Sequence, residues 1–401
     1  MGKMYVTGLM SGTSLDGIDA ALVEIQPDLT CKFIAGESLD YSPEMIAKLK
    51  SLFADKISPK FLCEMNFLIG EYFAKCALKL QEKTGIKPDL IGSHGVTFYH
   101  NPTKETFEEL SLNSTMQIGE GAVIAERTGV STICDFRVQD MAAAGQGAPL
   151  IPFVDKVFFS DDKINRVVLN LGGIANVTVL SNKCDIFAFD TGPANMLIDY
   201  AMRKFFNKPF DENGEIARKG KLNEELLNLL FFNDYFDIIP PKSTGRELFG
   251  EKYLDDILLK INDTPENIIK TLTVFTVKSI KDAFNKFIYP KTNIDEIIIG
   301  GGGAYNPEII KLMEQEFAPN TLIKTHEDFG ISNKFKEAMG FALLAYCSYN
   351  NIPNNVKTAT GAVKNVVMGK FIRKVWLILF SLLLAFFLMV WIGYIVCLLQ
   401  K

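Results

Sequence analysis

A pair of apolar segments joined by a glycine-containing turn occurs twice in the chain, about 160 residues apart. The first pair covers Met4–Met10 and 18–25, and the second covers 167–180. This pattern indicates two β-hairpins. After each hairpin, segments typical of strands and helices alternate, which favours two similar α/β domains that face a cleft. We therefore predict an N-terminal domain at 1–160 and a C-terminal domain at 161–370.

The turn of the first hairpin, residues 11–19, reads Ser-Gly-Thr-Ser-Leu-Asp-Gly-Ile-Asp. Its glycines let the backbone approach a ligand closely, and its N–H and hydroxyl groups are suited to binding a phosphate. Two carboxylates at its far edge are suited to holding Mg²⁺ or a water molecule on that phosphate, and Asp16 is the candidate magnesium ligand. The alternative is a hairpin whose glycine and aspartate residues only make the bend. The predicted nucleotide contacts are Gly12, Thr13, Ser14, Leu15, Asp16, Gly17, Ile18 and Asp19.

Two further predicted strands end in glycine-rich turns. The strand at 186–190 ends at Asp190 and is followed by a predicted helix at 196–206, whereas the strand at 297–299 leads into four consecutive glycines and a predicted helix at 307–317. Ligands bind at the carboxyl ends of strands in α/β sheets, and bare backbone beside a helix N-terminus admits a phosphate. We therefore expect Asp190, Gly301, Gly302 and Gly303 in a ligand site, although a glycine run is also compatible with a simple flexible turn.

Charge and cysteine content exclude several classes of protein. The chain has 42 Lys and Arg against 47 Asp and Glu, a net charge of −5, which implies no general attraction to nucleic acid. The seven cysteines contain no CxxC pattern and favour a reducing compartment over a disulfide framework. The first apolar segment is too short for a secretory signal.

The C-terminal segment 375–399 is apolar and carries no charge. Its 25 residues would span more than the roughly 30 Å of a bilayer core if helical. Lys370, Arg373 and Lys374 precede it, which favours a transmembrane tail helix with the body of the protein in the cytoplasm and the anchor in the inner membrane. A buried core helix and a non-native extension of the reading frame are the alternatives.

Two α/β halves around a nucleotide are typical of the actin, Hsp70 and sugar-kinase group of folds, which are ribonuclease-H-like. Within that group the chain resembles the anhydro-N-acetylmuramic acid kinases. The resemblance covers residues 1 to about 370, and its segments occur in the order of that family. These segments are 8–19, Ser93-His94-Gly95, Asp135-Phe136-Arg137, 145–150, 170–176, 189–193, 242–247, 301–304 and Lys336-Glu337-Ala338.

The resemblance implies an ATP- and Mg²⁺-dependent kinase of cell-wall recycling. Water opens the 1,6-anhydro bridge of the sugar while ATP phosphorylates O6, and the products are N-acetylmuramic acid 6-phosphate and ADP. Asp190 is then the expected general base. His94, Arg137 and Glu337 are candidate substrate contacts. The alternatives are a helix-terminus charge for Glu337 and a structural pair with Asp135 or Asp140 for Arg137, which we favour.

Three positions depart from the segments of the family. Val96, Lys334 and Gly300 stand where the family usually has Gln, Asp and Cys, respectively. Two rival functions share the fold. One is a kinase for another sugar, and the other is a membrane-tethered actin-like ATPase that acts by assembly. A homodimer is a further expectation.

Overall fold

The computed structural model of the protein describes residues 2–12, 16–53 and 56–374 and shows a mixed α/β fold. The strands are β1 Met4–Met10, β2 Gly17–Ile25, β3 Cys31–Asp40, β4 Leu90–Ser93, β5 Val96–Phe107, β6 Leu110–Ile118, β7 Thr132–Cys134, β8 Arg166–Leu171, β9 Ile174–Leu180, β10 Phe187–Pro193, β11 Glu296–Gly300, β12 Leu322–Thr325 and β13 Lys370–Ile372.

Helices connect these strands and cover both sheets. The α-helices are α1 Pro43–Ser51, α2 Pro59–Thr84, α3 Gly121–Thr128, α4 Val138–Ala142, α5 Ile151–Phe159, α6 Asn195–Phe206, α7 Glu215–Lys219, α8 Glu224–Phe231, α9 Arg246–Phe249, α10 Glu251–Leu258, α11 Pro265–Ala283, α12 Pro307–Phe317, α13 Lys336–Tyr349 and α14 Lys357–Thr360. Short 3₁₀ turns lie at Glu212–Gly214, Asp234–Asp237, Gly302–Tyr305 and His326–Phe329, and a π-helical turn, Phe284–Ile288, extends α11.

The two main sheets share a five-strand pattern, to which the first sheet adds β13, antiparallel to β7. The first has the order β13-β7-β4-β1-β2-β3, and the second has the order β10-β9-β8-β11-β12. In each, three antiparallel strands continue into two parallel strands, β4 and β7 in the first sheet and β11 and β12 in the second. The β1–β2 and β8–β9 hairpins occupy equivalent places, so both predicted hairpins are confirmed. The domain boundaries at 160 and 370 stay a prediction.

The helix α13 packs against the first sheet, although it follows the whole second sheet in sequence. It is apolar on every side, and residues 338–347 are buried, as expected for a helix covered on all faces. One apolar cluster joins this helix and α5 to Val6 of the first sheet and to Val168 and Ile298 of the second. The helix therefore connects the two sheets, and its first turn lies where they meet.

Close packing of α13 requires two glycines in the strands beneath it. Gly8 of β1 lies opposite Gly92 of β4 in the parallel register. A Cβ atom at Gly8 would lie 1.8 Å from the Ala338 carbonyl oxygen, and one at Gly92 would lie 2.2 Å from the Phe341 carbonyl oxygen. The backbone of the helix thus rests directly on the backbone of the sheet, which sets the position of its first turn.

No helix in the described ranges has both the length and the apolarity that a membrane crossing requires. The hydrophobic helix predicted at 375–399 lies outside the described residues, so that part of the predicted fold stays a prediction.

Candidate active site

A cavity of about 1130 Å³ lies between the two sheets. The β1–β2 turn and the first turn of α13 line it on one side, and β8–β10 and the glycine run after β11 line it on the other. Nine of the predicted site residues meet there, namely Gly12, Asp16, Gly17, Ile18, Asp19, Asp190, Gly301, Gly302 and Glu337. Segments separated by more than 300 residues therefore form one cleft, as the sequence analysis expected.

The remaining predicted site residues do not line the cleft or cannot be placed. Thr13, Ser14 and Leu15 lie outside the described residues. Gly303 is buried against β8, where a Cβ atom would lie 2.6 Å from the Leu171 side chain, so this glycine serves packing. The side chain of Ile18 also belongs to the apolar core and is 1% exposed, which leaves its backbone to face the cleft.

Asp190 is a half-buried carboxylate of the cleft. Its Oδ2 accepts a hydrogen bond from the Thr244 backbone N–H at 2.9 Å. Its own backbone is held on both sides, because its carbonyl oxygen accepts from the Tyr235 hydroxyl at 2.7 Å and its N–H donates to the Lys242 carbonyl oxygen at 3.1 Å. Burial raises the pKa of Asp190 to about 6, against the opposing effect of the Thr244 hydrogen bond. The group is therefore a carboxylate at neutral pH that readily accepts a proton.

The strand that carries Asp190 is longer than the sequence predicts. It continues to Pro193, so Asp190 lies within β10 rather than at its end. The pairing with β9 shifts between Asp190 and Gly192, and Gly192 has φ +147°. A bulge of this kind redirects side chains, so the bulge, and not the strand end that we predicted, presents Asp190 to the cleft.

The β1–β2 turn is held from within the first sheet. The Ser11 hydroxyl donates to the Gly17 carbonyl oxygen at 2.8 Å, and the Tyr41 N–H donates to the Asp16 carbonyl oxygen at 2.9 Å. Asp19 accepts a hydrogen bond from the Ser38 hydroxyl at 2.6 Å, while burial and the nearby carboxylates Asp16 and Asp40 raise its pKa. Carboxylates that crowd each other at the edge of a cleft are a setting in which a bound cation is favourable.

The glycine run leaves β11 in a conformation that favours glycine. Gly301 has φ +80°, and a Cβ atom there would lie 2.7 Å from Asn170 Oδ1. At Gly302 no atom lies within 4 Å of the place of a Cβ, so this residue faces open space in the cleft. Bare backbone is thus presented to the cleft before α12 begins.

Arg137 has a different partner from the one we favoured. Its guanidinium donates to His94 Nε2 at 3.0 Å and to the Gly147 carbonyl oxygen at 2.8 Å. Asp135 pairs with Lys370 instead, and Asp140 accepts from the Gly147 N–H at 2.9 Å. The expected pair with Asp135 or Asp140 is therefore wrong, because both carboxylates are engaged elsewhere.

His94 and Arg137 form a hydrogen-bonded pair that does not line the cleft. His94 is 4% exposed and packs against Phe341, with ring centroids 4.7 Å apart and planes inclined by 39°. Its Nδ1 lies 2.9 Å from the Gly95 carbonyl oxygen. Because that oxygen accepts only, Nδ1 carries the proton and Nε2 accepts from Arg137. Burial and the Arg137 charge lower the pKa of His94 to about 3, so the ring is neutral.

Glu337 opens α13 and faces the cleft. Desolvation by the surrounding protein raises the pKa of Glu337. The charge of Asp19 acts in the same direction, whereas Lys336 and Arg137 oppose the rise. Lys336 is buried and forms an ion pair with Asp155 at 2.5 Å. Glu337 is thereby left as the acidic group that this turn presents to a ligand.

The chain belongs to a known family by sequence. The family model for anhydro-N-acetylmuramic acid kinase matches residues 4–374. The anhydro-N-acetylmuramic acid kinase of Caldanaerobacter subterraneus subsp. tengcongensis is 43% identical over 383 residues, which cover 92% of this chain and 96% of the relative. That of Bacillus thuringiensis subsp. konkukian is 41% identical over 378 residues, covering 91% and 98%, respectively.

The protein is a member of the anhydro-N-acetylmuramic acid kinase family. Solved structures with a similar fold are more distant. The 2-hydroxyisocaproyl-CoA dehydratase activator of Clostridium difficile has a TM-score of 0.42 at 16% identity, covering 87% of this chain and 96% of its own. A ROK family glucokinase of Streptomyces griseus has a TM-score of 0.38 at 11% identity, covering 85% and 99%.

Two charged residues that line the cleft were not among the predicted site residues. Lys242 lies beside Asp190 and donates to the Tyr235 carbonyl oxygen at 2.9 Å, and burial lowers its pKa to about 8. Lys334 is exposed at the cleft, where its charge opposes the rise in the pKa of Asp19. Both lie in or beside segments that carry the family resemblance, which is the signal that points to them.

Two of the departures from the family segments are explained by packing. Val96 is 2% exposed and belongs to the apolar cluster beneath the first hairpin. A Cβ atom at Gly300 would lie 1.9 Å from His326 Cε1, so the His326 ring fills the space that a larger residue at 300 would need. Glycine at 300 and histidine at 326 therefore go together in this chain.

Proposed function

We propose that this family member uses ATP to phosphorylate O6 of 1,6-anhydro-N-acetylmuramic acid while water opens the anhydro bridge, giving N-acetylmuramic acid 6-phosphate and ADP in cell-wall recycling. The observation that carries the proposal is the cleft of about 1130 Å³, where Asp190, the β1–β2 turn and the glycine run meet. The proposal includes two actin-like domains divided near residue 160, with α13 and β13 returning to the first sheet.

Asp190 is the proposed general base. Its carboxylate takes a proton from the water that attacks C1, and the C1–O6 bond breaks with its electron pair on O6. The oxyanion attacks the γ-phosphorus, and the bond from that phosphorus to the bridging oxygen of ADP breaks. These reaction steps need a base that is deprotonated at neutral pH and can still take up a proton. A pKa of about 6 for Asp190 supports that role.

The β1–β2 turn and the glycine run are the proposed binding site for ATP. Both offer backbone that a phosphate chain can approach closely. Mg²⁺ would be held by Asp16, with Asp19 beside it, and by phosphate oxygens, and it would neutralise the charge that develops during phosphoryl transfer. Among the described residues no three His, Cys, Asp or Glu side chains lie close enough to hold a metal by themselves, which is consistent with phosphates as the remaining ligands.

The sugar is proposed to lie between Asp190 and the first turn of α13. Glu337 is suited to accept a hydrogen bond from a sugar hydroxyl. Arg137 would meet the lactyl carboxylate with His94 behind it, because the guanidinium fork matches a carboxylate. That contact requires the sugar to reach past the present cleft wall. A homodimer is also part of the proposal.

Labelled water tests the reaction. The protein is incubated with ATP, Mg²⁺ and 1,6-anhydro-N-acetylmuramic acid in ¹⁸O-water, and the sugar product is analysed by mass spectrometry. We expect one ¹⁸O at C1 and a phosphate on O6. Release of ADP with an intact anhydro bridge would contradict the ring-opening mechanism, and ADP release without any sugar would favour the actin-like ATPase.

The reaction should depend on pH through Asp190. Only the carboxylate form accepts the proton, so kcat/KM for the sugar should be constant above about pH 7 and fall about tenfold per unit below about pH 6. The measurement is kcat/KM at saturating ATP from about pH 5 to about pH 8. A profile that is flat across pH 6 would argue against this carboxylate as the base.

We also propose that residues 375–399 anchor the enzyme in the inner membrane with its catalytic body in the cytoplasm. The support is the apolar, uncharged sequence and its place beyond the family match, which ends at residue 374. Lys370, Arg373 and Lys374 precede the segment and favour a catalytic body in the cytoplasm, where ATP is supplied.

Deletion after Lys374 should leave kinase activity unchanged and release the protein from membranes. The cut spares β13 and the hydrogen bond from the Lys374 N–H to Ser131 Oγ at 3.0 Å. Full-length and shortened chains are compared after cell fractionation and an alkaline carbonate wash. Recovery of the intact full-length chain in the soluble fraction would refute the anchor, and loss of activity on deletion would favour a buried helix.

A further inference from the structure

One side-chain amide holds the first residue of the glycine run that follows β11. The Gly301 N–H donates to Asn333 Oδ1 at 2.8 Å, and Asn333 Nδ2 donates to the Gly301 carbonyl oxygen at 3.1 Å. Asn333 thus engages both backbone groups of a residue that has φ +80°. Because Gly301 is held at both groups, the direction in which the chain continues to Gly302 is set by this amide.

His326 in turn holds Asn333. The His326 ring is 1% exposed and stacks on Phe159, with ring centroids 5.3 Å apart and planes inclined by 17°. Its Nδ1 lies 3.1 Å from Asn333 Oδ1, and because an amide oxygen accepts only, Nδ1 is the donor. The same ring fills the space beside Gly300, which has no Cβ atom. Gly300 and Gly301, the first two residues of the glycine run, are therefore held by one connected set of groups.

The segment that carries Asn333 also leads to the other side of the cleft. Asn333 and Lys334 line the cavity, and Glu337, which also lines it, lies in the first turn of the helix that follows. The Asn333 N–H donates to Glu327 Oε1 at 3.2 Å, which holds the segment against the turn that contains His326. The Asn333 side chain bonds to Gly301, whereas its backbone is held by Glu327. Replacing the side chain should therefore disturb the glycine run and leave the backbone of residue 333 in place.

We propose that Asn333 is a positioning residue for nucleotide binding, which holds Gly301 so that the glycine run faces the phosphates of ATP, and that His326 fixes the orientation of its amide. The inference rests on the proposed function, because it requires the glycine run to contact the nucleotide. It assigns Asn333 no contact with the reacting atoms.

Asn333→Ala tests the inference in the full-length chain, kept in a mild detergent. The change removes both hydrogen bonds to Gly301, and we expect the dissociation constant for ADP, measured by calorimetry, to rise about tenfold to a hundredfold. KM for ATP should rise in parallel, whereas kcat at saturating ATP and KM for the sugar should change less than about threefold. A purely structural role would lower the folded fraction and leave KM for ATP unchanged.

Asn320→Ala is the matched control, because Asn320 is exposed and lies outside the cleft lining. Asn333→Asp is the second variant if the alanine variant does not fold, since it keeps the size but cannot donate to the Gly301 carbonyl oxygen, and it should also weaken ADP binding. An ADP affinity within about twofold of the parent in either folded variant overturns the inference while leaving the proposed function intact. A parent chain that binds no ADP overturns both.

Discussion

Asp190→Asn should lower kcat by a factor of about 100 to 10,000, the range typical of losing one general base. Asparagine has nearly the same shape, and its amide oxygen can still accept the hydrogen bond from the Thr244 N–H that now measures 2.9 Å. The change therefore removes basicity while leaving the bulge and the glycine run in place. We expect ATP affinity, measured by calorimetry, to change little, because Asp190 is not part of the proposed phosphate site.

Asp199→Asn provides a matched control for this variant. Burial raises the pKa of Asp199 to about 6 as well, but this residue lies on α6 and does not line the cleft. Its replacement should change kcat less than about threefold. A large loss of kcat in Asp190→Asn would then result from the position of Asp190 in the cleft and not merely from the loss of a buried carboxylate. Near-normal turnover in Asp190→Asn would move the role of base to Glu337 or Asp16.

Gly8→Ala should lower the free energy of unfolding by about 3 kcal/mol or more, the upper end of what overpacking costs in a close-packed interior. The added methyl group would lie 1.8 Å from the Ala338 carbonyl oxygen and 2.5 Å from the Ala342 nitrogen. Both are backbone atoms of α13, so a rotamer change cannot relieve the contact. The helix must move away from β1, and it carries Glu337 with it.

Chemical denaturation monitored by circular dichroism measures this cost. Gly2→Ala is the control, because no atom lies within 4 Å of the position of its Cβ, and it should unfold at the midpoint of the parent. In the folded fraction of the Gly8→Ala variant, KM for the sugar should rise, because the first turn of α13 is displaced. An unchanged unfolding midpoint in Gly8→Ala would mean that the helix does not rest on the sheet at this point.

Local sequence patterns determined the secondary structure around the site. The strand predicted at Met4–Met10 has those bounds, and the strand predicted at 297–299 lies within Glu296–Gly300. The helix predicted at 307–317 is also observed with those bounds. These predictions depend on apolar periodicity and on glycine, proline and capping residues, which act over a few residues and can therefore be read from one segment.

Tertiary structure decided which distant groups meet. Arg137 is bound by His94, which lies 43 residues away, although Asp135 and Asp140 are nearer in sequence. His326 fills the space beside Gly300, and Asn333 bonds to Gly301 across 32 residues. Nothing in the local pattern of these residues marks them as partners, since the sheets and α13 must first be packed before the groups approach each other.

The sequence by itself determined the family, the two hairpins and the carboxylate and glycine segments that meet in the cleft. It could not determine that a bulge within β10, rather than the end of that strand, would present Asp190. Nor could it show that Gly303 would pack on Leu171 while Gly302 faces open space. It also could not show that the backbone of α13 would pack directly against Gly8. Residue type and spacing specify strands, helices and turns, but close approach between backbones is decided by the packing of segments far apart in the chain.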